Sequence, residues 1–260
     1  MGVMYKHLIL LDKPAGITSR NAVEIVKNAV GAKKAGHAGT LDINVSGVLI
    51  IALDEARKAM PVLMNLDKAY IGVMHIHSDK EREVIEKYAS TFVGEIEQLP
   101  PKKSAVARVI RKRRVYEFKI LGMKGRDVEF FVKCQAGTYI RKLIHDLGQK
   151  MGCGAHMKRL RRVAVNGFKI EETVSMEDVK KGKGIIKLED VAERLNVNMV
   201  FVDKNIAYKI KNGMPIYIDK VKIKRYSKEN KYTFIYDSSG IIALGIIKSN
   251  KLLPDRVFNV

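Results

Sequence analysis

Residues Val48 to Leu53 read Val-Leu-Ile-Ile-Ala-Leu, the longest unbroken apolar run in the chain. A membrane-crossing helix needs roughly 18–20 such residues, so this run is a short strand sunk in a water-free core. Any fold the chain adopts has to bury it. With 260 residues, 47% of them hydrophobic, there is enough material for a full core without a disulfide or metal staple. A glycine-rich loop feeds the strand, with Gly36, Gly39 and Gly47 bracketing His37 and Asp42.

Around this strand the sequence mixes elements. His7 to Leu11 is a short apolar strand that stops at the turn Asp12-Lys13-Pro14-Ala15-Gly16. Thr18 or Ser19 caps a helix with Ala22, Val23, Val26, Ala29 and Val30 on its apolar positions, closed by Gly31. Tyr70 to Ile76 reads as a strand and Glu81 to Ala89 as a charged helix. Val115 to Leu121 and Val128 to Cys134 pair around Gly125, and Gly137-Thr138 caps a helix with Ile140, Leu143, Ile144 and Leu147 on one face. Strands and helices do not strictly alternate, which predicts an α+β domain rather than a doubly wound one. After about Leu195 the pattern turns to short alternating strands with turns at Asn212-Gly213 and Ser239-Gly240. The expected division is 1–195 and a small β domain at 196–260.

Charge points to the partner. Lys and Arg number 48 against 28 Asp and Glu, a net +20. From Pro100 to Arg162 there are 18 basic and 4 acidic residues, so 14 of those net charges sit in that stretch. Solubility charge would be spread evenly; a clustered excess predicts nucleic acid. The amino-terminal residues lack the charged-then-apolar pattern of a secretory leader, and Lys6 stands where a myristoylation signal carries Ser or Thr. Cys134 and Cys153 form no CxxC, which fits a reducing compartment without structural zinc.

Little conventional chemistry is on offer. Gly31 to Gly36 has phosphate-loop spacing, but His37 occupies the lysine position. His75 and His77 share a strand face, yet no third strong ligand is near in sequence, and a structural role is expected. No dinucleotide fingerprint occurs. What remains is Asp42, a loop carboxylate whose glycine neighbours give a ligand room. An Asp that merely closes a turn before a strand fits the same pattern.

A family resemblance narrows the choice. The run Gly36-His37-Ala38-Gly39-Thr40-Leu41-Asp42, continuing through Val45-Ser46-Gly47-Val48-Leu49, resembles the signature of TruB-type pseudouridine synthases. Lys13 to Ser19, Lys68-Ala69-Tyr70 and Gly137 to Arg141 resemble three further family blocks, in order. Pro100-Pro101 with Ser104-Ala105-Val106, Arg111 to Tyr116, and Gly154 to Met157 ahead of Leu160-Arg161-Arg162 are most similar to the dyskerin-like catalytic subunit of H/ACA guide particles.

The resemblance implies a mixed, mainly antiparallel sheet with flanking helices, and a PUA-like RNA-binding domain at 196–260. It implies Asp42 as nucleophile, Arg141 as its counter-charge and Tyr70 stacked on the uracil; Tyr70 would take the C5 proton. His37 lies near the flipped nucleotide and Lys13 braces the pocket. Contacts to RNA are expected from these two and from Lys102, Lys103, Arg108, Arg111, Arg113, Arg114, Arg161 and Arg162. Neither cofactor nor metal is implied, since the reaction is redox-neutral.

Implied partners are guide RNA with target rRNA, or tRNA, together with small companion proteins, and no membrane. The leading expectation is a guide-directed synthase. A stand-alone enzyme for the tRNA T-loop uridine and a non-catalytic RNA-binding or chaperone protein are the alternatives. Ile43 stands where the family usually has proline after the aspartate, which loosens the loop. Only Met1 to Lys6 are available to pack against the terminal domain, and there is no lysine-rich tail. The latter favours an archaeal source and a cytoplasmic protein over a nucleolar one.

Overall fold

The computed structural model describes residues 6–100, 107–195 and 197–259. In chain order the first part comprises β1 (His7–Lys13), α1 (Ser19–Val30), β2 (Ala35–His37), β3 (Ser46–Leu53), α2 (Met60–Leu63), β4 (Lys68–Ile76) and α3 (Arg82–Ser90). It continues with β5 (Gly94–Gln98), β6 (Arg111–Lys124), β7 (Asp127–Cys134), α4 (Ile140–Lys150), β8 (Ala155–Val165), β9 (Phe168–Lys169), α5 (Met176–Lys180), β10 (Ile185–Lys187) and α6 (Leu188–Arg194). The last part holds β11 (Asn198–Phe201), α7 (Lys204–Lys211), β12 (Ile216–Tyr217), β13 (Lys222–Arg225), β14 (Thr233–Asp237), β15 (Gly240–Lys248) and β16 (Lys251–Val257).

The first ten strands make one sheet, ordered β10-β1-β3-β8-β4-β7-β6-β5, with β2 on β3 and β9 on β8. Its pairs are antiparallel apart from β3 with β8. The expected α+β fold is what forms. The apolar run of β3 explains itself here, because a strand presents alternate residues to opposite faces. Leu49, Ile51 and Leu53 point into the core under α1, α3 and α4. Val48, Ile50 and Ala52 point the other way, into a second core shared with Phe234, Tyr236, Ile241 and Leu244. Neither face meets water, so neither tolerates a polar residue.

The second sheet runs β12-β16-β15-β14-β11-β13, parallel only between β11 and β14. One of its faces closes over β1 and β3, and α7 covers the other through Ala207 and Ile210. That helix adds to the strands expected there. Lys6 takes part in the junction, its Nζ donating to the Ile241 carbonyl at 3.0 Å.

Local signals account for most element ends. The Thr18 hydroxyl accepts the Asn21 N–H at 3.0 Å, making Thr18 rather than Ser19 the α1 cap, and Gly31 closes the helix at φ 68. At α4 the expected Thr138 cap is not used; Tyr139 takes that place without a side-chain bond, and Thr138 donates to the Gln135 carbonyl instead. Strand β6 begins four residues before the expected Val115, so Arg111 to Arg114 are strand residues paired with β5.

Candidate active site

Asp42 stands in the loop between β2 and β3, and three ties hold that loop. The Ser19 hydroxyl donates to the Leu41 carbonyl at 2.9 Å and accepts the Leu41 N–H at 2.8 Å. Gly16 N–H, in the Lys13–Gly16 turn, donates to the Ile43 carbonyl at 2.7 Å. Arg162 donates through Nη2 to the Gly39 carbonyl at 3.0 Å. Asp42 is thereby held on both sides, before it by the buried Ser19 and Arg162 side chains and after it by the Gly16 backbone.

Arg141 comes from the first turn of α4, and its Nη2 is 2.7 Å from Asp42 Oδ2. Gln98, at the end of β5, positions this helix start. Its amide oxygen accepts the Tyr139 N–H at 2.9 Å and its Nε2 donates to the Tyr139 carbonyl at 3.2 Å. The ion pair is open to solvent, with Asp42 50% and Arg141 57% exposed, so it lies at the surface rather than on the floor of a closed cleft. Tyr70 is only 8% exposed, directly opposite Arg162 in the ladder between β4 and β8. The register slips between Ala69 and Tyr70, a bulge that sets the aim of the tyrosine. Burial holds the Tyr70 hydroxyl above its ordinary pKa, and the Arg162 charge opposes that rise.

His37 ends β2 half-buried, with its Nδ1 enclosed and unbonded. Burial, reinforced by Arg162, lowers its pKa and so favours the neutral ring. Lys13 is fully buried. Its Nζ donates to the Pro14 and Ile17 carbonyls at 2.7 and 2.9 Å, bracing the turn that holds Ile43. The expectation that Lys13 contacts RNA is therefore corrected: its ammonium is spent on the turn.

Arg162 needs the same correction, and more firmly. It is 1% exposed, with Nε donating to the Val48 carbonyl at 2.7 Å, and a phosphate has no access to it. Arg161 points elsewhere, bonded to Asp12 at 2.7 Å and to the Ser46 hydroxyl at 3.1 Å. Asp12, Ser46 and Arg161 help line an open cavity of about 760 Å³ that none of Asp42, Tyr70 and Arg141 borders. Arg108 and Arg114 are exposed, whereas Arg111 and Arg113 are half-buried. Arg113 lies over the Gly137 turn that leads into α4, at the edge of the site. Lys102 and Lys103 fall outside the described residues.

Lys68, part of the Lys68-Ala69-Tyr70 block, carries no local pattern that marks it as buried. It is 6% exposed, its Nζ donating to the Met64 and Leu66 carbonyls, and Gly39 rests against it. Burial, with Arg162 adding to it, pulls its pKa down to about 8 from 10.5. The unfolded chain therefore holds more protons than the folded one between those values, and stability rises with pH across that window. Relative to Lys68→Met, the wild-type chain should gain about 3 kcal/mol between pH 7 and pH 10.5, measurable by urea unfolding at each pH. A flat difference would mean the ammonium is not buried in solution.

Away from the site, His75 bonds Asp127 at 2.7 Å and His77 bonds His156 at 2.9 Å. Among the described residues no group of three or more His, Cys, Asp or Glu is arranged to hold a metal ion. Burial pushes the Cys134 thiol up to about 12, which leaves it unreactive.

A half-exposed carboxylate bonded to a guanidinium, beside a buried tyrosine and a half-buried histidine on this sheet, defines a class. A model of the TruB family pseudouridylate synthase N-terminal domain matches residues 27–140, and one of the tRNA pseudouridylate synthase B C-terminal domain matches 141–199. The chain belongs to the TruB family of pseudouridylate synthases.

Within that family it is similar to a chain of a Cbf5-Nop10-Gar1 complex, with TM-score 0.87 and 33% identity over 97% of this chain and 85% of that one. It is also similar to a chain of an H/ACA RNP bound to a substrate RNA containing 2'-deoxyuridine, with TM-score 0.83 and 31% identity over 98% and 85%. The probable tRNA pseudouridine synthase B of Methanopyrus kandleri is 49% identical over 175 residues, 67% of this chain and 52% of that protein. The chain spans about half the length of the curated relatives it matches.

Proposed function

We propose that this chain isomerises uridines in RNA to pseudouridine, as the catalytic subunit of a guide-RNA-directed H/ACA particle. The observation that carries the reading is the 2.7 Å contact between Asp42 and Arg141, brought together from a loop and a helix far apart in sequence. The bond from ribose C1′ to uracil N1 breaks, the ring turns, and a bond from C1′ to C5 replaces it as the C5 proton leaves. Asp42 supplies the electron pair, to the ribose or to the ring, and Arg141 keeps that carboxylate charged once RNA covers it. Tyr70, a neutral phenol, stacks on the uracil, and its hydroxyl relays the C5 proton to water by giving up its own proton as it takes the new one, while N1 takes up a proton from water. The uridine must first leave its stack, at a cost of a few kcal/mol, which phosphate contacts by Arg108, Arg114 and the neighbouring basic residues offset. Residues 196–260 act as a PUA-like RNA-binding module. Likeness to chains solved with Nop10 and Gar1 supports small companion proteins as partners.

A second reading, a stand-alone tRNA synthase, is favoured by the name of the Methanopyrus kandleri relative. The two separate in one experiment. Purified protein is incubated with tRNA alone, and with guide plus target RNA with and without companion proteins, and pseudouridine is quantified. Product that appears only with guide RNA is the expected outcome. Product from tRNA alone favours the second reading, and no product under any combination leaves an RNA-binding protein without catalysis.

A further inference from the structure

We propose that Arg162 is a positioning residue: its buried guanidinium fastens the loop that carries Asp42 to the central strands and fixes where the carboxylate stands. This deepens the uridine-isomerase reading and rests on it. Three strands meet at this side chain. Arg162 pairs with Gly47 of β3 on one side and with Tyr70 of β4 on the other. Its Nε holds the Val48 carbonyl of β3, and Nη2 reaches out to Gly39, three residues before Asp42.

The joint has no slack. Gly47 has φ +110, and a Cβ there would fall 2.1 Å from the Arg162 carbonyl oxygen, so β8 is pressed directly onto β3. Gly39, at φ +102, rests against the Arg162 and Lys68 side chains. Nε and Nη2, fixed in one plane, reach carbonyls on two different segments, β3 and the Asp42 loop, in directions that a flexible ammonium does not preset.

The hydrogen bonds of this guanidinium run to backbone carbonyls, and among the described residues no carboxylate forms an ion pair with it. A charge buried without a counter-ion is expensive, and a well-packed apolar side chain would be the cheaper filler at this position. The fork is what an apolar side chain lacks. Burial lowers the pKa of His37, Lys13 and Lys68, the same charge adds to that fall, and it opposes the burial-driven rise at Tyr70. One buried cation therefore holds the loop and biases the protons of four groups around it.

The test compares wild type with Arg162→Met and Arg162→Lys, after confirming by melting that each folds. Three quantities are read: the single-turnover rate at saturating RNA, the RNA Kd with its salt slope, and hydrogen exchange of the Gly39 to Asp42 amides. Both variants are expected to lose at least about 100-fold in rate, while Kd stays within about threefold and the salt slope does not change. Loop amides are expected to exchange at least about tenfold faster while those of β3 and β4 stay protected. In Arg162→Met the His37 imidazole, followed by NMR, is expected to titrate at higher pH than in wild type; in Arg162→Lys it moves less.

A rate within threefold of wild type, or a weaker Kd with a shallower salt slope, overturns the proposal, the latter by making Arg162 a phosphate contact. If Arg162→Met does not fold, Arg162→Lys decides alone. If wild type turns over no RNA, the isomerase reading fails by itself, and loop exchange with the His37 titration still decides whether Arg162 positions the loop.

Discussion

Replacing Asp42 by Asn should leave turnover at least about 10⁴-fold below wild type while RNA binds as tightly as before. Asn has nearly the same shape, so the loop keeps its form: Leu41 stays on Ser19, Ile43 on Gly16, and the Asp42 carbonyl still accepts the Val45 N–H at 3.0 Å. What disappears is the ionised oxygen, which can both form a bond and balance Arg141. Affinity should hold within about threefold, because it comes from cations on phosphates and Asp42 contributes a negative charge facing a polyanion. Removing that charge would tighten binding if it changed it at all. Single-turnover product formation and filter binding, measured on the same preparation, separate the two quantities. A variant that retains a tenth of the wild-type rate would take Asp42 out of the nucleophile's role.

Arg141→Ala carries the second large effect, a rate loss of about 10³-fold with almost no change in melting temperature. The two halves of that statement have different causes. In the free protein the ion pair is half-exposed on both sides, and such pairs contribute about 0–1 kcal/mol to folding. Once RNA covers the site, water leaves and the same contact strengthens several-fold, so the loss is felt in the reaction and not in the fold. Arg141→Lys should recover part of the rate, because an ammonium restores charge without the fork. The helix start that presents residue 141 is held by Gln98 on the Tyr139 backbone and should not move in either variant. A fall in melting temperature as large as that from deleting a core leucine would show that Arg141 is a structural residue.

Much of the framework was legible because apolar periodicity reports burial directly. The run Val48 to Leu53 announced a strand covered on both faces, and the alternation of β7 and the spacing in α4 announced their apolar faces. Strand β8 was not legible. It carries His156, Lys158, Arg159, Arg161 and Arg162 along eleven residues, and the same charges that pointed to RNA hid a strand at the middle of the sheet. Arg162 was misread for that reason: in a list of basic residues nothing distinguishes a guanidinium facing phosphate from one facing backbone carbonyls. Arg161, its neighbour, points the other way to Asp12.

At the site itself, Asp42 and Arg141 came from a resemblance, since their pairing joins a loop to a distant helix and no local pattern encodes it. Ser19 and Gln98 could not have been picked out. Each acts by bonding the backbone of a residue far off in sequence, Leu41 and Tyr139, and a sequence does not say which backbone groups will need a partner.

Rejoining uracil to the ribose through C5 requires that carbon to lose its hydrogen. RNA labelled with tritium at C5 of uridine, incubated with the purified chain, guide RNA and companion proteins, reports this directly. One tritium released to water for each pseudouridine formed, and none with Asp42→Asn, is the predicted result. RNA that binds fully while its tritium stays in place under every combination would contradict it.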